Sequence, residues 1–478
     1  MSYGNYINGE WVSGETFENR NPANTDELVG LFVKGTPEDV NRAAEAAQAA
    51  LNGWSAMPAP ARGNLLFKVA ENLERRFDEI SAEMTREEGK TLPESKGEVR
   101  RSINIFRYFA GEGSRMPGFL VPSERERVHM FAIRKPIGVV GLVTPWNFPS
   151  AIPAWKMAPA LICGNTVVIK PASAAPLSCW RLVEACHDAG VPRGVVNFVA
   201  GSGSTLGKAL VKAGPLKAIS FTGSCEVGRW LHQEASKRAL RIQLEMGGKN
   251  PTIVLADADF ASAVENVVNA AFFSTGQKCT ATSRAIVEDA IYDKFLGALV
   301  ERTRKLKIGD GMNPGIEIGP AVDQAQLDID LKYIEIGKKE GGRLCAGGKP
   351  LTGDGFDKGY FVEPTVFADV TEKMTIAQEE IFGPVLAVMR ARDFEDAMRI
   401  ANNIPLGLSA SLQTTNVSRV FEFVHRMEAG LLTVNLPSAG VEYQLPFGGT
   451  KDSSFGSKEQ GPAALEFYSD YKTVYLKY

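Results

Sequence analysis

The chain has 478 residues, of which 44% are hydrophobic and 23% charged, and its 53 basic and 56 acidic side chains leave a net charge of −3. This balance excludes a disordered, collagen-like or disulfide-scaffold protein. No basic excess favours nucleic acid or an anionic membrane as a partner, and no apolar run is long enough to span a bilayer. At about 150 residues per domain, the length predicts roughly three domains.

The N-terminus and the cysteines predict a cytoplasmic location. Residues 1–6 lack the basic and apolar regions of a secretory signal. The six cysteines include no C-x-x-C pair, so we expect neither a zinc ribbon nor a thioredoxin-type motif, and no bound metal. In the cytosol such thiols stay reduced.

The first predicted elements are a hairpin and two helices. Residues 6–12 alternate around an Asn-Gly pair, which predicts a β-hairpin. Thr36, followed by proline and two acids, predicts the start of a helix that ends near Leu51. An apolar stripe over residues 65–84 predicts one further helix, ending at Gly89.

From about residue 137, short β-rich runs alternate with helical segments, which predicts a doubly wound parallel sheet. The predicted strands cover 139–143, 166–169, 195–199 and 218–221, and the helices 177–189 and 204–212. A second series starts at Thr252 and continues past Val388, which predicts another α/β domain. Two alternating segments, 119–135 and 470–477, fit neither series and are predicted to pair as an arm.

Three positions have residue types suited to acyl chemistry. Cys279 follows a Gly-Gln turn beside Lys278, where a cation and backbone amides are expected to lower the thiol pKa. Glu245 ends an apolar alternation, where burial would raise its pKa and suit a general base. Asn147, between aromatic residues and prolines, has an amide suited to an oxyanion. Taken singly, the alternatives are a buried inert cysteine, a surface glutamate and a turn residue.

Two further motifs indicate ligand or anion binding, and a third stands out without a role of its own. Lys170 lies at the carboxyl end of a predicted strand, where open α/β sheets bind ligands. Ser224 follows a strand and a Gly turn at a predicted helix N-terminus, which suits a diphosphate. Glu380 lies in an E-I-F-G-P run. The glycines of residues 201–207 have one residue too many between them for the dinucleotide fingerprint, and Ala209 after Gly207 and Lys208 excludes a P-loop.

Together and in this order, these motifs closely resemble the aldehyde dehydrogenase superfamily over essentially the whole chain. The diagnostic motifs are P-W-N-F-P at 145–149, F-T-G-S at 221–224, L-E-M-G-G-K at 244–249, G-Q-K-C at 276–279 and E-I-F-G-P at 380–384. The resemblance implies NAD(P)-dependent oxidation of an aldehyde to a carboxylate. Cys279 would attack the aldehyde, Asn147 would hold the oxyanion, and Glu245 would activate the hydrolytic water.

The resemblance also implies a cofactor site for NADP or NAD. Its residues would be Lys170, Ser173, Ser224, Glu380, Trp146, Gly223 and Phe382. Relatives strict for NAD often have glutamate at the position of Ser173. A hydroxyl there removes the repulsion of a 2′-phosphate and can donate to it, so we expect NADP to be accepted.

The substrate positions implied by the resemblance are Phe148, Trp155, Lys278, Thr280 and the loop 438–443. Lys278 and Thr280 suit a small anionic aldehyde, and the run from Gly276 to Arg284 is similar to enzymes acting on 2-oxoglutarate semialdehyde (2,5-dioxopentanoate). Succinate semialdehyde or a broad aldehyde range is the alternative. A CoA-acylating enzyme of this fold would lack Glu245, and a structural, crystallin-like protein would be free to lose Cys279.

The implied architecture is α/β, with a Rossmann-like cofactor domain (1–118 and 137–247), an α/β catalytic domain (248–446) and a small β oligomerisation arm (119–136 and 460–478). An arm with open strand edges is a pairing surface, so a homodimer or homotetramer is expected.

Overall fold

The computed structural model describes residues 1–478, and its strands form two large sheets and three small ones. In spatial order, the strands of the eight-stranded sheet are Ser454–Phe455, Arg241–Glu245, Leu216–Thr222, Val139–Val143, Thr166–Lys170, Val196–Phe198, Asn5–Ile7 and Glu10–Val12. The five strands from Arg241–Glu245 to Val196–Phe198 run parallel, as the sequence predicted. The predicted hairpin extends one edge of this sheet.

Eight helices accompany this sheet: Pro37–Ala56, Ala59–Arg75, Phe77–Glu88, Leu92–Glu112, Ala151–Ile162, Leu177–Asp188, Gly203–Lys212 and Cys225–Ser236. Thr36 caps the first one, as predicted, and forms a reciprocal capping box with Asp39. The single helix predicted over residues 65–84 is wrong, because Arg76 leaves helical geometry and separates two helices. The apolar stripe continues across the break, so its periodicity gave no sign of it.

The seven-stranded sheet contains Arg343–Ala346, Thr365–Ala368, Val385–Ala391, Thr282–Glu288, Asn250–Val254, Ser409–Gln413 and Leu431–Val434 in spatial order. All neighbours run parallel except at the first strand, which confirms the second α/β series. Its helices are Phe260–Phe272, Tyr292–Arg304, Gln324–Lys339, Thr375–Gln378, Phe394–Asn402 and Val417–Arg426, with 3₁₀ turns at Phe273–Gly276, Asp289–Ile291 and Phe356–Lys358.

The predicted pairing of the two isolated segments is confirmed. Ser469–Lys477 runs antiparallel to Val128–Pro136 over its full length, and Phe119–Val121 adds a third strand. The helix Ala463–Tyr468 precedes this small sheet. The other small sheets join Ser2–Tyr3, Asn24–Val33 and Thr16–Asn21, and Leu406–Gly407 with Thr450–Lys451.

The register of the eight-stranded sheet brings the predicted site residues to one edge. Val143 pairs with Lys170, and Thr222 pairs with Glu245, each at the carboxyl end of its strand. This edge is where open parallel sheets bind ligands, because the strand-to-helix loops diverge there. None of the helices has the length and apolar character needed to cross a membrane.

Candidate active site

A strained turn positions Cys279. Ser274, Thr275 and Gly276 all have positive φ, at 55°, 56° and 68°. A Cβ on Gly276 would lie 2.4 Å from the carbonyl oxygen of Gly383, so this position requires glycine on both steric and conformational grounds. Two consecutive non-glycine residues in the left-handed region are unusual and typical of functional sites. The residues packed around the loop before Cys279 therefore hold its backbone in this strained conformation.

Two cavities meet at Cys279. One has a volume of about 430 Å³ and is lined by Asn147, Ser224 and Glu380 among others. The second has a volume of about 330 Å³ and is lined by Trp155 and Lys278 among others. Cys279 lines both. A thiol in this position can react with one molecule while a second is bound on its other side.

Asn147 is buried and held from two directions. Its Nδ2 donates to the carbonyl oxygen of Gln277 at 3.0 Å, which ties it to the cysteine loop. Lys90 donates from Nζ to the carbonyl oxygen of Asn147 at 2.7 Å and to Glu98 at 2.6 Å. A primary amide has two donor hydrogens, so one remains for an oxyanion beside Cys279.

Glu245 is the last residue of its strand and is 2% exposed. Burial raises its pKa well above the ordinary value, and the nearby charge of Glu459 raises it further, while a hydrogen bond from Ser454 opposes the shift. The predicted burial and raised pKa are confirmed. A raised pKa makes the ionised carboxylate a stronger base, which suits a general base.

The expected low pKa of Cys279 is wrong. Burial raises the pKa of its thiol to about 12, and the carboxylates of Glu380 and Glu245 add to the shift. The backbone N–H groups of Thr280 and Cys279 act in the predicted direction, but they are outweighed. The resting cysteine is therefore a neutral thiol and needs a base to become a nucleophile.

Five predicted cofactor residues line the larger cavity: Trp146, Gly223, Ser224, Glu380 and Phe382. Ser224 caps the helix Cys225–Ser236 by accepting from the backbone N–H of Val227 at 3.4 Å, as its predicted position requires. Thr222 also lines the cavity, and its buried Oγ1 has no hydrogen-bond partner. A helix N-terminus and an unsatisfied hydroxyl in one cavity fit a phosphate-bearing ligand.

Glu380 reaches this cavity from the segment that precedes the strand Val385–Ala391 of the seven-stranded sheet. Its Oε1 accepts from the backbone N–H of Gly248 at 3.0 Å, and burial raises the pKa of its carboxyl to about 7. A Cβ on Gly247 would lie 1.9 Å from the Glu380 carboxylate, so only glycine fits there. The paired glycines therefore allow the carboxylate to approach the backbone.

Lys170 and Ser173 do not line this cavity and lie together beside another loop. The Lys170 ammonium donates to the carbonyl oxygen of Pro171 at 2.7 Å, and burial lowers its pKa to about 8. Ser173 donates to the carbonyl oxygen of Gly201 at 2.8 Å. Ser173 therefore contacts the glycine loop that precedes the helix Gly203–Lys212, and Lys170 Nζ would lie 3.7 Å from a Cβ on Gly203 at the start of that helix.

The four predicted substrate residues, Phe148, Trp155, Lys278 and Thr280, all line the smaller cavity. Lys278 is 9% exposed, and burial lowers its pKa to about 8. Ala439, Gly440 and Val441 from the predicted loop complete the wall. The loop is anchored by Ser438, which donates to the carbonyl oxygen of Thr280 at 2.6 Å.

The sequence reasoning missed four charged residues near the site. Lys90 and Glu98 form the buried ion pair behind Asn147, and Glu459 accepts from the Trp155 indole at 2.6 Å. Arg101 lines the smaller cavity. One signal was available for Arg101, because helical periodicity places it on the buried face that contains Glu98 and Ile105.

With this geometry established, comparisons with known proteins identify the family. The model of the aldehyde dehydrogenase family matches residues 11–474. The chain belongs to the aldehyde dehydrogenase family. This confirms the resemblance inferred from the motifs and the predicted oxidoreductase class.

Several named relatives align with this chain over nearly its full length. Alpha-ketoglutaric semialdehyde dehydrogenase of Bacillus subtilis is 49% identical, covering 100% of this chain and 98% of that protein. 2,5-Dioxopentanoate dehydrogenase of Saccharolobus solfataricus is 44% identical, with 98% of each covered. The crystal structure of betaine aldehyde dehydrogenase from Staphylococcus aureus in complex with NAD⁺ has a TM-score of 0.97 at 33% identity, covering 99% and 94% of the two chains. The predicted α/β fold is thereby confirmed.

Proposed function

We propose that this enzyme oxidises 2-oxoglutarate semialdehyde (2,5-dioxopentanoate) to 2-oxoglutarate with NADP or NAD. The observation that carries the proposal is the position of Cys279 between two cavities, one suited to a dinucleotide and one containing cations. Relatives named for this substrate, at 44% to 49% identity, support the choice of aldehyde. Water supplies the second oxygen of the product carboxylate.

In the proposed first half-reaction, Glu245 accepts the proton of the Cys279 thiol, and Sγ attacks the aldehyde carbon. The carbonyl oxygen becomes an oxyanion that accepts from Asn147 Nδ2 and from the backbone N–H of Cys279. The oxidised nicotinamide ring, when bound, accepts a hydride from the former aldehyde carbon. The loss of that electron pair leaves a thioester on Cys279.

The second half-reaction is hydrolysis of the thioester. Glu245, having released the first proton to solvent, takes a proton from water, and the water oxygen attacks the thioester carbon. The bond to Sγ breaks, and the carboxylate product leaves. Its buried position and raised pKa support Glu245 as the base in both steps.

The dinucleotide is proposed to extend across two parts of the edge of the eight-stranded sheet. Ser224, Gly223 and Trp146 would hold the diphosphate and its surroundings, and Phe382 would pack nearby. Glu380 would accept from the hydroxyl groups of the nicotinamide ribose. The unsatisfied Thr222 hydroxyl supports a polar ligand in this cavity.

NADP is proposed to be accepted because of Lys170 and Ser173. Lys170 ends its strand with an ammonium, and Ser173 in the following loop presents a hydroxyl, with no carboxylate at position 173 to repel a 2′-phosphate. Steady-state kinetics with both dinucleotides test this. Turnover with NAD but none with NADP would contradict it.

A substrate panel tests the aldehyde. We expect kcat/KM to be highest for 2,5-dioxopentanoate, for which the relatives are named, and lower for succinate semialdehyde. Pentanal should be the poorest substrate, because it lacks the carboxylate that the cavity cations recognise. Retinaldehyde and betaine aldehyde dehydrogenases are also relatives, at 38% to 41% identity. A preference for pentanal would therefore favour the broad-specificity alternative and overturn the proposed substrate.

The three-stranded arm is proposed to join copies into a homodimer or homotetramer. Its edge strand has Phe119, Leu120 and Val121 at 57%, 79% and 49% exposure. An open apolar edge of this kind is suited to pairing with a second chain. Light scattering after size-exclusion chromatography tests the mass, and Leu120→Asp is expected to shift it toward the monomer.

The proposed location is the cytoplasm, where the six free cysteines would stay reduced. Cell fractionation tests this, and recovery of the enzyme in a secreted fraction would contradict it.

A further inference from the structure

The helix Leu92–Glu112 contributes a guanidinium to the smaller cavity. Arg101 lines this cavity together with Gly97 and Glu98, which lie on the same helix. A Cβ on Gly97 would meet nothing within 4 Å, so the helix leaves open space one turn before Arg101. Arg101 therefore borders free volume within the cavity that contains Cys279.

The guanidinium is held in place without a counterion. Nη1 donates to the carbonyl oxygen of Val441 at 2.5 Å, and Nη2 donates to Oε1 of Gln460 at 3.1 Å. Nε is buried and has no partner. The preceding Arg100 forms an ion pair with Glu74, whereas Arg101 forms none. Neutral groups alone thus satisfy two of its five donors.

The carboxylates of the same cavity are already engaged elsewhere. Glu98 accepts from Lys90 at 2.6 Å and from the backbone N–H of Ser150 at 2.8 Å. Glu94 accepts from the backbone N–H groups of Thr91 and Ser274 and from both hydroxyls, at 2.7 to 2.9 Å. Neither carboxylate is within ion-pair distance of Arg101.

A cation removed from water is stable only if it is paired or solvated by hydrogen bonds. Arg101 is oriented by two hydrogen bonds, and its guanidinium lies over the ring of Trp155, 5.5 Å from the ring centroid. It has no negatively charged partner. The missing anion is available when a charged substrate enters. A planar fork of N–H groups matches a carboxylate better than an ammonium does.

We propose that Arg101 binds the carboxylate of the substrate and so selects carboxylate-bearing semialdehydes over uncharged aldehydes. This inference rests on the proposed function, since it assumes an anionic aldehyde at Cys279. Lys278 has a different position, because its Nζ is directed to the carbonyl oxygen of Asn269 at 3.4 Å. Burial lowers the pKa of both side chains, but a guanidinium starts so high that Arg101 stays charged over the working pH range, whereas the pKa of Lys278 falls to about 8.

The experiment compares wild type with Arg101→Met, Arg101→Lys and the control Arg100→Met, using 2,5-dioxopentanoate and pentanal. Arg101→Met is expected to lower kcat/KM for the semialdehyde on the order of 100-fold, mainly through KM, by losing a charge-assisted fork. For pentanal we expect a change below about threefold, because no charge is recognised. Arg101→Lys should recover part of the loss, and Arg100→Met should leave both substrates unchanged.

Inhibition by 2-oxoglutarate gives a second readout. Its competitive inhibition constant is expected to rise in Arg101→Met by about the same factor as KM, since both report carboxylate binding. Equal losses on both aldehydes, or an unchanged preference for the semialdehyde, would overturn the role of Arg101. A wild-type preference for pentanal would instead overturn the proposed substrate. If Arg101→Met is insoluble, Arg101→Lys decides, with an expected rise in KM of about tenfold for the semialdehyde alone.

Discussion

On one side of Cys279, the larger cavity is lined mainly by turns that follow strand ends, with glycines, a helix N-terminus and one carboxylate, and one wall is formed by the helix Gln324–Lys339. On the other side, the smaller cavity is formed by side chains from the helix Leu92–Glu112 and from the loop around Val441, and it contains Arg101 and Lys278. The shape of the larger cavity depends mainly on backbone geometry, whereas the chemical character of the smaller cavity depends on the identity of its side chains. We therefore expect substitutions on the first side to change cofactor use, and those on the second to change the choice of aldehyde.

The largest expected effect comes from the residue that both cavities share. Cys279→Ala is expected to lower turnover by at least roughly 10⁴-fold, because no thioester can form. Absorbance of the reduced dinucleotide after addition of aldehyde measures it. Cys186→Ala, a buried cysteine away from both cavities, is the matched control and should keep its activity. Retained activity in Cys279→Ala would remove this thiol as the nucleophile.

Glu245→Gln tests whether one base serves both half-reactions. We expect turnover to fall on the order of 10³-fold, since the amide can accept no proton from the thiol or from water. Stopped-flow measurement of the first turnover separates the steps, and a slow first turnover shows that the thiol also depends on Glu245. The control is Glu234→Gln, whose carboxylate pairs with Lys237. Unchanged turnover in Glu245→Gln would contradict its role.

Ser173→Glu tests the cofactor side alone. The new carboxylate would face a 2′-phosphate, so we expect the ratio of kcat/KM for NADP to that for NAD to fall on the order of 100-fold. Ser173→Ala removes the hydroxyl without adding charge and should shift the ratio much less. The preference for the semialdehyde over pentanal should stay constant in both variants. A changed preference would mean that the two cavities are coupled.

A smaller effect is expected from pH on the substrate side. Burial lowers the pKa of Lys278 to about 8, so its ammonium is present below pH 8 and lost above it. The KM for 2,5-dioxopentanoate should therefore rise by a few-fold as the pH passes 8, roughly the effect of losing one partly screened charge that attracts the carboxylate without contacting it. The KM for pentanal should stay level, and Lys278→Met should abolish the difference. A parallel rise for both aldehydes would show that the Lys278 charge does not act on the carboxylate.

Local sequence was sufficient for the elements and residues that depend on neighbours along the chain. Strand and helix alternation predicted both large sheets, and the Thr36 cap depends on contacts within one turn. The motifs around Cys279, Glu245 and Asn147 were visible for the same reason, since each lies at a strand end or tight turn. The break at Arg76 was not visible, because the apolar stripe continues on both sides of it.

Only the tertiary structure decided what surrounds those residues. The sequence neighbour Lys278 suggested a low pKa for Cys279, but burial and two carboxylates from distant segments raise it to about 12. The cation of Arg101 joins the site because its helix packs beside the cysteine loop. The electrostatic environment of a residue, its burial and the shape of a cavity depend on all the groups that lie nearby in space, including those distant in sequence. The sequence by itself determined which residues could react and on which elements they lie.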